Sequence, residues 1–331
     1  MAKAQGSNAT GRRLQVDYMT RTERVHAAVN GADVDRIPVC FWHHFQPEGS
    51  GRAMAEATLQ FFDDEYDLDI AKVMPDIPYP FPRKSISSVD DWRLLEPIDP
   101  VRSRYFRERA EAVAVLRETL GFDTPVIMTV FSPLAEAMYA ARDQEQFLAH
   151  LQEHPIVIHE ALATIADNLA AHMRDIVDAG ADGVFFALQG CTRTILTEQQ
   201  YREFGRPYDL IALRGAANGW LNILHVHGEK ELMFDQVLDY PVHVLNWSDR
   251  IAGPSLREAR VRTSKCLMGG WNEFGALSNG PEDQIEAEAR DALAQTGGRK
   301  FILANGCSVP DDTDRRWLEA ARAIVEDLNV G

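Results

Sequence analysis

The sequence predicts an α/β fold, a (β/α)8 TIM barrel, and three observations carry that expectation. Eight short apolar runs rich in β-branched residues alternate with longer amphipathic stretches from Thr20 onward. Each run is followed by polar residues capable of chemistry, and barrel enzymes keep their sites on the loops after the strands. The first run leads into Cys40-Phe-Trp-His-His-Phe, not into the glycine-rich phosphate loop expected of a doubly wound open sheet.

The predicted strands span 37–42, 68–74, 125–130, 183–187, 221–226, 242–247, 266–270 and 300–304. Helical periodicity falls between them at 53–63, 101–120, 155–178, 198–213, 229–239, 255–261, 282–294 and 314–326. Residues 1–16 are small and polar without apolar period, so they are expected to be a disordered tail preceding one barrel domain over 17–331.

Composition narrows the partners. Acidic residues outnumber basic ones 50 to 34, a formal net charge of −16, which repels nucleic acid and anionic lipid and leaves a small-molecule substrate as the expected partner. No apolar run is long enough to span a membrane, and the first residues lack the apolar core of a signal peptide, so a cytoplasmic protein is expected. Cys40, Cys191, Cys266 and Cys307 are too widely spaced in this long chain to suggest a disulfide framework.

Residues able to do chemistry cluster at the strand ends. His43 and His44 follow the first run, Asp76 the second, Ser132 the third, Gln189 the fourth, His225 and His227 the fifth, Asp249 the sixth, Asn272 the seventh and Cys307 the eighth. His225 and His227 are two positions apart, and strand period two points both imidazoles to one side. Cys307 follows Gly306, which lets the backbone turn and bring a thiolate toward the barrel axis. Two nitrogens and one sulfur with an exchangeable fourth position make the ligand set of a catalytic zinc site. The plain alternative is a histidine pair bonded to loop carbonyls and a cysteine buried as a small apolar group. His43 and His44 read as a general acid, a fourth ligand or a substrate contact, or else as a packed aromatic rim. Asp76 lies in a proline-rich turn that would hold a carboxylate in place, with a helix cap as its alternative.

Several segments, in order, resemble the uroporphyrinogen decarboxylase superfamily, which also contains zinc-dependent methyltransferases that pass methyl groups between corrinoid proteins and thiols. Residues 21–31 with Asp35 to Pro38 look like the family's opening helix and first strand, and residues 68–76 like its second. Residues 196–208 are similar to its helix before the fifth strand. Gly269-Gly-Trp-Asn272 and residues 301–310 look like its seventh and eighth strands. The resemblance implies that Asp76 falls on the decarboxylases' pyrrole-contacting aspartate and Tyr139 on their active-site tyrosine.

This sequence departs from both branches. The arginine-rich clamp of the decarboxylases is replaced by Phe41-Trp-His-His-Phe-Gln-Pro-Glu48, which removes the charge-assisted partners of a polycarboxylate. Gln189 stands where they have serine and Cys307 where they have histidine. The methyltransferases bind zinc through His-x-Cys and a later cysteine; here the pattern is His225-x-His227 and Cys307. One thiolate fewer makes a stronger Lewis acid. The resemblance therefore implies a zinc-dependent methyltransferase with His225, His227 and Cys307 as ligands and Asp76, Tyr139, His43 and His44 as catalytic candidates. Trp42, Gln189, Asn272 and Trp247 would line the substrate pocket. A corrinoid on a partner protein is a candidate methyl donor, and a homodimer is one of the states the family allows. A metal-free decarboxylase using Asp76 and Tyr139 is the second reading, and a non-catalytic corrinoid-handling or small-molecule-binding protein is the third.

Overall fold

The structure, a computed structural model, describes residues 18–45 and 49–328, so the expected tail lies outside the described residues. Eight parallel strands curl into a barrel wall in the order β1-β8-β7-β6-β5-β4-β3-β2. They are β1 Val39–Cys40, β2 Ala71–Val73, β3 Val126–Phe131, β4 Gly183–Leu188, β5 Ile223–Val226, β6 Val244–Trp247, β7 Cys266–Trp271 and β8 Phe301–Asn305. Each falls on one of the eight predicted runs. The strands are buried almost throughout, as expected of a parallel sheet covered on its outer face by helices.

Strand periodicity divides the core in two. One set of side chains, including Cys40, Ile70, Ile127, Ile223, Val244, Met268 and Ile302, fills the cylinder. The alternate set, including Val39, Val73, Met128, Leu224, Leu245 and Leu303, packs against the helices. The helices follow local chemistry. Arg21–Asn30 opens on a Thr20–Glu23 capping box and ends at Gly31 in the left-handed region, φ 76°. Pro155–Asp178 starts on its proline and coincides with the predicted helix.

Other boundaries differ. Residues 229–239 form no helix beyond one 3-10 turn at Phe234–Val237. Glu231 sits at φ 53°, and the backbone there pairs with the loop after β4 through Arg193 N–H to Glu231 O and Met233 N–H to Cys191 O. Those bonds occupy groups that a helix would use. Helices Pro133–Ala140 and Gln144–Glu153 were not foreseen, because β3, loop and helix run together without a strong change of period.

Among the described residues no ladder joins β1 to β2. The seam is held instead by Asp69, whose backbone N–H donates to Val39 O at 2.9 Å while its carboxylate accepts Val39 N–H at 2.8 Å. The same carboxylate accepts from Arg24 Nη1 at 2.7 Å and Arg36 Nη1 at 2.6 Å, and Arg24 also engages Asp35. All four side chains are buried at the N-terminal end of the strands, the face that serves stability in barrels. Asp69→Asn leaves two buried guanidinium groups short of charge, so a loss of about 3–5 kcal/mol is expected. Urea unfolding should report it as a lower midpoint with unchanged slope.

Candidate functional site

The register of β5 and β6 sets His225 beside Asn246, and β6 and β7 set Asn246 beside Met268, all facing the interior. Asn246 donates both amide hydrogens to carbonyls, Met268 O and Asn305 O, each at 3.0 Å. Its oxygen must therefore face His225 Nδ1, 2.7 Å away. A carbonyl oxygen only accepts, so Nδ1 carries the proton and Nε2 keeps its lone pair. Burial, with smaller contributions from His227 and Lys72, pushes His225 down to about 3, so the ring is neutral near pH 7. It stacks on Phe185 at 5.4 Å between centroids.

His227 lies just beyond β5, its ring 5.8 Å from that of His225, and burial also lowers its pKa. Cys307 follows β8 and brings Sγ to 3.6 Å from His227 Nδ1. Ligand atoms of His225, His227 and Cys307 all lie within 4.8 Å of one another. A tetrahedral zinc with its usual bond lengths separates a nitrogen and a sulfur by about 3.6 Å, which the Cys307–His227 pair matches, and the three groups are close enough together to hold one ion. Gly306 sits in a bend after β8 and also permits a close approach: a Cβ there would stand 2.3 Å from the backbone of Ser248 after β6. Burial first, then the Glu273 carboxylate, pushes the Cys307 thiol up to about 11.

These three groups border a cavity of about 110 Å³ at the C-terminal ends of the strands, whose walls include Trp42, Tyr139, Phe185 and Gln189, with His44 at its edge. Ligand pockets for drug-sized molecules run about 300–1,000 Å³, so this one suits a small substrate. Gln189 Nε2 donates to the Tyr139 hydroxyl, and burial pushes the Tyr139 pKa up, which keeps that phenol protonated. A second, open groove of about 560 Å³ lies off the axis, between Arg193, Glu231 and Arg262. It holds none of these groups.

One pocket residue escaped the sequence reading. Lys72, in the middle of β2, is buried inside the cylinder, with Nζ 2.9 Å from Thr129 Oγ1 and 3.0 Å from Met74 Sδ. It lies over the rings of Phe185 and Trp42, 4.3 and 4.8 Å from their centroids. Burial pushes its pKa down to about 7. The signal was a charged residue on the inward parity of an otherwise apolar run, Ile70, Lys72, Met74.

Several expected residues stand elsewhere. Trp247 has the opposite parity to Asn246, so it is fully buried on the helix side, with its indole N–H donated to Pro254 O; it does not line the pocket. Asn272 accepts the Phe274 N–H at 3.0 Å and shapes a local turn, outside the pocket walls. His43 packs edge-on against Phe45 and Phe61, the aromatic rim that was its alternative. Asp76 sits at the rim with Oδ1 3.7 Å from His44 Nδ1. Ser132 caps the helix Pro133–Ala140, and Asp249 accepts the Gly270 N–H.

Fold and pocket define the class: a (β/α)8 barrel whose polar groups converge at the C-terminal strand ends, where barrel enzymes carry out their chemistry. The uroporphyrinogen decarboxylase (URO-D) family model matches residues 66–328, and the chain belongs to that family. It is 24% identical over 217 residues to the methylcobamide:CoM methyltransferase MtaA of Methanosarcina barkeri, covering 65% of this chain and 61% of that protein's length. It is 25% identical over 316 residues to the uroporphyrinogen decarboxylase of Crocosphaera subtropica, covering 87% and 81%. A solved methyltransferase from Methanosarcina mazei superposes with TM-score 0.74 at 20% identity over 93% of this chain and 99% of that one, a likeness of fold. The relatives are enzymes of two kinds, methyltransferases and decarboxylases. No helix among the described residues is long and apolar enough to cross a membrane.

Asn246→Leu strips the partners from His225 Nδ1 and from two buried carbonyls. A buried unsatisfied group costs about 1–3 kcal/mol, so denaturant titration should register a loss of at least about 2 kcal/mol. Asn246→Asp should also destabilise, because a carboxylate cannot donate to Met268 O and Asn305 O.

Proposed function

We propose that this chain is a zinc-dependent methyltransferase, moving a methyl group from a small-molecule or corrinoid donor to an acceptor bound in the barrel mouth. The observation that carries the reading is the convergence of His225, His227 and Cys307 within 4.8 Å at the pocket. Zinc held by those residues would supply Lewis acidity that lowers the pKa of a thiol or similar acceptor, making it nucleophilic at neutral pH.

The chain's own residues then have separate tasks. Asn246 fixes the His225 tautomer and orientation, as outer partners of metal-bound histidines do. Trp42 and Phe185, 5.1 Å apart, wall the site with apolar surface. Tyr139 accepts from Gln189 and so keeps its own hydroxyl proton free to donate toward a bound substrate. His44, with Asp76 behind it, stands at the entrance. A corrinoid donor would be carried on a partner protein; the name of the Methanosarcina barkeri relative includes a methylcobamide.

The decarboxylase reading keeps Asp76 and Tyr139 at the family positions, but it has less support. Among the described residues that line the pocket there is no arginine to hold a polycarboxylate, and the cavity is small for a tetrapyrrole.

Elemental analysis of protein purified without chelator tests the reading. About one zinc per chain is expected in the wild type and a loss of at least tenfold in His227→Ala, together with loss of methyl transfer from methylcobalamin to a thiol. A folded, metal-free wild type would sink it.

A further inference from the structure

The buried arginines are matched to carboxylate or carbonyl oxygens. Arg24 and Arg36 meet the Asp35 and Asp69 carboxylates, and Arg109 donates to the carbonyls of Thr129 and Ile77. Lys72 is different. It is 5% exposed and, among the described residues, forms no ion pair; its Nζ meets the Thr129 hydroxyl at 2.9 Å and the Met74 thioether at 3.0 Å. Those are two acceptors. An ammonium would leave one of its three hydrogens without a partner, whereas a neutral amine gives one hydrogen to each and keeps its lone pair. The faces of Phe185 and Trp42, 4.3 and 4.8 Å from Nζ, attract a cation but replace neither its water nor a carboxylate. Burial accordingly pushes the Lys72 pKa down to about 7. Lys72 also lines the cavity at the strand ends, so the amine borders open space as well as packed side chains.

We propose that Lys72 is a nucleophile that condenses with a small aldehyde to form an imine, an activity separate from methyl transfer. A lysine desolvated in an apolar pocket is the usual form of such a nucleophile. The Nζ lone pair bonds to the carbonyl carbon, and a proton passes from nitrogen to the carbonyl oxygen, giving a carbinolamine. The C–O bond then breaks, the oxygen leaves as water with the second nitrogen proton, and the C=N bond closes. No oxidant, reductant or metal takes part. Thr129 Oγ1, within hydrogen-bond reach of Nζ, is placed to pass the proton from nitrogen to oxygen. The cavity of about 110 Å³ restricts the aldehyde to a few non-hydrogen atoms. The inference goes beyond the methyltransferase reading and needs no zinc.

The test is reductive trapping in the full wild-type chain at pH 7. Acetaldehyde is added with cyanoborohydride, which delivers hydride to the imine carbon and leaves an ethyl group on the lysine, and the labelled sites are mapped by peptide mass spectrometry. The chain has six lysines, and the exposed Lys84 and Lys230 serve as internal standards for an ordinary amine. An exposed lysine with a pKa of about 10.4 is neutral in only about one molecule in 2,500 at pH 7. Lys72 should therefore be ethylated at least tenfold faster than either standard despite its burial. Transient unfolding cannot produce that order, because an unfolded Lys72 is itself an ordinary amine. The Lys72 rate should also level off above about pH 8 while the standards keep rising, since its neutral form is already complete there. A Lys72 rate at or below those of Lys84 and Lys230 overturns the proposal, and so does labelling that is lost when a chelator removes the zinc. Preferential labelling of a chain that never held zinc supports the nucleophile while removing the metal reading, so the two fail separately.

Discussion

The barrel depends on one carboxylate. Among the described residues seven of the eight junctions between neighbouring strands are parallel ladders, but β1 and β2 share none. Asp69 bridges that gap by taking the place of a neighbouring strand for Val39, bonding both its N–H and its C=O. Two arginines hold the carboxylate in turn, so the charge that closes the cylinder is itself neutralised within the core. Without closure the first and second strands would not lie side by side, and the pocket built from Trp42, Lys72 and the later strand ends would lose a wall.

With the cylinder closed, strand register does most of the chemical placement. Side-by-side residues on parallel strands share a face, so His225, Asn246 and Met268 form one inward row. Asn246 converts that row into a chemical decision: its donors are taken, so the imidazole must give its Nδ1 proton to the amide and present the other nitrogen. The opposite ends of the strands hold the Arg24, Arg36, Asp35 and Asp69 cluster, which separates the part that holds the fold from the part able to react.

The eight strands and the placement of His225, His227 and Cys307 were legible because parity and periodicity are local properties. The convergence of the two imidazoles and the thiol needed only strand period two and a closed barrel. Trp247 was misplaced by the same rule, since one step along a strand reverses the face, and an aromatic at a strand end looks alike on either side. His43 turned outward because Phe45 and Phe61 offer it an aromatic niche that is assembled only in the fold. Residues 229–239 have helical spacing, but they trade helix bonds for contacts with the loop after β4. Lys72 was passed over because a lysine in an apolar strand reads as an edge or surface residue until closure turns its face inward.

Gly306 has a mechanical consequence. Its backbone lies against Ser248, and Asn246 two residues earlier is bonded to Asn305 O, so the ends of the sixth and eighth strands are clamped at adjacent points. The imidazole braced by Asn246 and the sulfur carried by residue 307 therefore ride on one stiff plate. Their spacing is thus set by the strand framework and not by the rim loops.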